Sequence, residues 1–93
     1  MRIVLHRNKK EEDAGVHLWF ENKKADIVVS LVGGKGDIST RVTTPKGFRD
    51  YGHPFADVHW TKYKHDDFGD MQRYKDGIVR ILKRDFDYDV EVK

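Results

Sequence analysis

A chain of 93 residues has room for one hydrophobic core, since domains of this size bury only about 60–65% of the surface they expose when unfolded. With 38% apolar and 37% charged residues it reads as one soluble folded domain over residues 1–93, and its many β-branched and aromatic residues argue against disorder. The lack of cysteine excludes disulfides, thiolate metal sites and cysteine nucleophiles and suits a cytoplasmic protein, while a net charge of +2 is too small to draw the whole molecule onto nucleic acid.

The first segment, Met1 to Arg7, alternates as a strand does, with Ile3 and Leu5 on one side and Val4 and His6 on the other. From Asn8 to Gly15 the chain has no apolar side chain larger than alanine and reads as an exposed connection. A second strand follows, with Val16, Leu18 and Phe20 facing one way and His17, Trp19 and Glu21 the other. The tetrad Glu21-Asn22-Lys23-Lys24 reads as a hairpin turn. Ile27 to Val32 is apolar at almost every position, as in a central strand. Glycines 33, 34 and 36 supply a turn whose backbone amides are able to cradle an anion, although a plain hairpin turn explains them better. Alternation resumes from Ile38 to Thr44 and stops at Pro45.

No period runs from Pro45 to Pro54, and two prolines and two glycines predict a loop there. Phe55 to Thr61 alternates again, as a further strand. Beyond Lys64 the period changes: Met71, Tyr74, Ile78, Ile81 and Leu82 recur at helical spacing, with Asp67 as the predicted N-cap and Arg80, Lys83 and Arg84 in the last turn. Gly77 inside that helix costs about 1 kcal/mol relative to alanine. A final strand follows, with Tyr88, Val90 and Val92 on one side. No apolar run approaches the roughly 18–20 residues of a membrane span, and the opening Met1–His6 is too short for a secretory signal, so no membrane association is expected.

These elements predict an α+β domain: a five- to six-stranded, mainly antiparallel, strongly curved sheet, one C-terminal helix packed on one face, and a short final strand. One helix covers one face only. Val4, Trp19 and one side of Ile27–Val32 then project from the other, where either curling of the sheet or a partner must shelter them.

Four groups of residues are candidates for function. Lys46, Phe48, Arg49, Tyr51 and His53 interleave aromatic and basic side chains, which suits a protein hot spot or a stacking-plus-phosphate surface; Trp19 is an extra anchor if the second sheet face is open. His59, Lys62, Tyr63 and His65 contain the parts of a metal-independent ribonuclease, an imidazole base, an imidazole acid and a cation for the phosphate. His6, His17 and His59 fall on one sheet face but lack ligand spacing, so no metal and no cofactor are expected. Asp85, Asp87, Asp89 and Glu91 place a carboxylate at every second position, read as a charged edge strand before a cation site or a phosphate mimic. The basic stripe of Arg73, Arg80, Lys83 and Arg84 is diluted by nearby acids and reads as a solvated helix face.

With no catalytic signature or cofactor motif, the chain reads as a non-enzymatic binding module. An accessory, regulatory or inhibitory protein, of the kind phages and mobile elements encode, fits its size and dense charge. It would occupy a macromolecular partner, protein before nucleic acid, as a monomer or homodimer. The rival reading is the small ribonuclease.

Overall fold

The computed structural model describes residues 2–12, 15–34, 37–55 and 71–93. In chain order it contains β1 (Ile3–Glu12), β2 (Gly15–Asn22), β3 (Ile27–Gly34), β4 (Asp37–Thr44), β5 (Gly47–Tyr51), α1 (Met71–Phe86) and β6 (Val90–Val92). The strands form one six-stranded sheet in the order β5-β4-β3-β2-β1-β6, strongly curled into a half-barrel. Neighbours pair antiparallel except β6, which lies parallel to β1.

Strand alternation and register together sort the side chains onto two faces. Leu5, Leu18, Phe20, Ile27, Val29, Leu31, Val42, Tyr51 and Val90 share the inner face, where they are buried against Tyr74, Ile78, Ile81 and Leu82 of α1. The helix stripe was legible because Tyr74, Ile78, Ile81 and Leu82 follow the i, i+4, i+7, i+8 spacing of one helical face. α1 ends at Asp87, whose φ of 58° is left-handed; its N–H bonds the Lys83 carbonyl, and the Tyr88 N–H bonds that of Leu82. The chain is thereby turned back to place β6 beside β1.

Gly77 has a packing reason. A Cβ built there would lie 2.5 Å from the Cβ of Phe55, so the bare backbone lets the segment after β5 press directly on the helix. Phe55 links a chain of rings across the core, 5.2 Å from Tyr51 and 6.0 Å from Tyr74, which in turn lies 5.8 Å from Phe20. The hydroxyls of Tyr74 and Thr40 are buried there without a hydrogen-bond partner among the described residues.

Two expectations are corrected. β1 does not end at Arg7 but continues to Glu12, pairing Lys9 with Leu18 and Lys10 with His17, because the ladder needs backbone groups rather than apolar side chains. The predicted loop after Pro45 is a tight turn followed by a strand, with Gly47 at a φ of 125° and Thr44 Oγ1 accepting from the Lys46 N–H. Of the predicted strand over Phe55–Thr61, Phe55 is described and lies in a bend; the remainder, and the N-cap at Asp67, lie outside the described residues.

Candidate functional site

Because β5 is a strand, the interleaved series from Lys46 to His53 is divided between two faces. Arg49 and Tyr51 point to the inner side, and Phe48 and Asp50 to the outer side. Tyr51, expected on an exposed contact surface, has a relative exposure of only 9% and belongs to the core.

The inner side of β5 is bonded to the C-terminal end of α1. Tyr51 Oη donates to Asp85 Oδ2 at 2.5 Å, Arg49 Nη1 lies 3.3 Å from the same oxygen, and Arg84 bonds both carboxylate oxygens at 2.8 and 3.2 Å. Hydrogen bonds from Arg84 and then Tyr51 hold the Asp85 carboxyl well below the usual carboxylate range, while burial and the bond to Asp85 raise the Tyr51 hydroxyl. Lys46 Nζ donates to the Phe86 carbonyl at 2.7 Å and sits 4.4 Å from the centre of the Tyr88 ring. Cations thus meet the negative end of the helix, as its dipole favours. His53, exposed beyond β5, packs its ring 6.4 Å from that of Tyr51 and contacts the Pro54 carbonyl.

The outer side of β5 continues across a face that α1 does not touch. One row of that face runs His6, Glu21, Val28, Thr43, Phe48, and the next runs Asn8, Trp19, Ser30, Arg41, Asp50. Phe48 is 67% exposed and Val32 37%, while Trp19 is half-buried with His17 stacked 4.8 Å away on the same strand. Arg41 donates to both Asp50 carboxylate oxygens through its Nε and Nη2. The two aromatic residues singled out in sequence, Trp19 and Phe48, therefore share a face, three strands apart. Val28 and Val32 join them there; the continuous apolar run that contains them hides which members face outward.

Other candidates separate. His6 and His17 share the outer face, yet their cross-strand partners are Glu21 and Lys10, so they are not paired with each other. No metal-binding cluster of three groups occurs among the described residues. The four-carboxylate row does not form: Asp85 is in α1 and Asp87 in the turn that ends it, which leaves Asp89 and Glu91 to flank Val90. His59, Lys62, Tyr63 and His65 lie outside the described residues. No helix among the described residues is long and apolar enough to cross a membrane.

Compared with protein families, curated proteins and solved structures, the chain matches none.

Proposed function

We propose that the chain is a non-enzymatic binding module, of accessory, regulatory or inhibitory type, that occupies a protein partner with the outer face of its sheet. The observation that carries this reading is the Phe48 ring, two-thirds exposed on a face that α1 does not cover and in register with Thr43 and Val28. An exposed aromatic beside β-branched neighbours suits a hot spot: it loses little side-chain entropy and buries a large apolar area on contact. Trp19 is its second anchor.

Protein is favoured over nucleic acid because the cations of the Lys46–His53 segment already have acceptors. Lys46 is bonded to the Phe86 carbonyl and Arg49 to Asp85, and on the outer face Arg41 is bonded to Asp50. A phosphate would have to compete with each of these.

The test is comparative capture. Immobilised wild-type chain and its Phe48→Thr variant, matched for folding by circular dichroism, are passed through native lysate and the retained proteins compared. A protein retained by wild type and lost with the variant supports the reading; retention that ignores position 48, or cleavage of mixed RNA by the chain in EDTA, contradicts it.

A further inference from the structure

We draw no further inference here: the strongest candidate, the cleft of about 210 Å³ between α1 and β6 that Lys75, Val79, Asp89 and Glu91 help to line, carries nothing, because Val90 beside it is buried and offers an added strand no open backbone, and nothing in the structure shows what would occupy a lining of mixed charge.

Discussion

The two sides of β5 show how differently the same five residues are used. Inward, Arg49 and Tyr51 converge on Asp85 and bind the sheet to the end of α1; outward, Phe48 stands in water beside Asp50. The inner side is closed by apolar burial and an ion network at the end of α1, and the outer side by none of the described elements. Stability is therefore expected to reside on one face and association on the other, and substitutions should divide accordingly.

The largest effect should come from the inner face. Leu82→Ala removes a fully buried side chain at the helix–sheet contact and should cost about 2–5 kcal/mol in urea unfolding. Gly77→Ala comes next. Helix propensity alone favours it by about 1 kcal/mol, yet the new Cβ would strike Phe55, so the net effect is expected to be destabilising by about 1–3 kcal/mol. A gain in stability would show that the contact between helix and post-β5 segment is absent.

Asp85→Asn should cost about 1 kcal/mol by weakening four charge-assisted hydrogen bonds at a carboxylate that is still partly exposed. Because the folded state lowers this carboxyl's pKa, its contribution is fully present above about pH 4 and is lost as pH falls towards the depressed folded value. Wild type should accordingly lose stability below about pH 4 more steeply than Asp85→Asn in a pH series of urea midpoints. Tyr74→Phe removes a buried hydroxyl with no hydrogen-bond partner among the described residues and is expected to change stability by less than about 0.5 kcal/mol, or to raise it. The smallest effect belongs to the outer face: Phe48→Thr should leave the urea midpoint within about 0.5 kcal/mol of wild type while abolishing contact.

Much of this architecture could be read in the sequence, and the failures have physical causes. The helix stripe and the alternations at Ile3–Leu5, Leu18–Phe20 and Ile38–Thr44 are direct imprints of burial on period, and each marks a described element. β5 escaped because its inward positions are Gly47, Arg49 and Tyr51: the middle one meets a carboxylate rather than hydrocarbon, so apolar alternation never appears. Asp85 lies 34 residues from Tyr51, a separation no local pattern spans. The Lys46–His53 series was recognisable as aromatic and basic, but only the strand conformation reveals that its cations turn inward and a single ring turns out. Gly77 looked like a weakness in the helix and is instead where Phe55 packs against its bare backbone.

The separation of the two sides of β5 is tested most directly by thiol reactivity, since the chain has no cysteine of its own to interfere. Phe48→Cys and Tyr51→Cys are each treated with a disulfide reagent in dilute native solution. The account predicts that position 48 reacts at close to the rate of a free thiol and position 51 only at the much slower rate of local opening. Equal, fast reaction at both positions would mean that the segment is an open loop, and would contradict it.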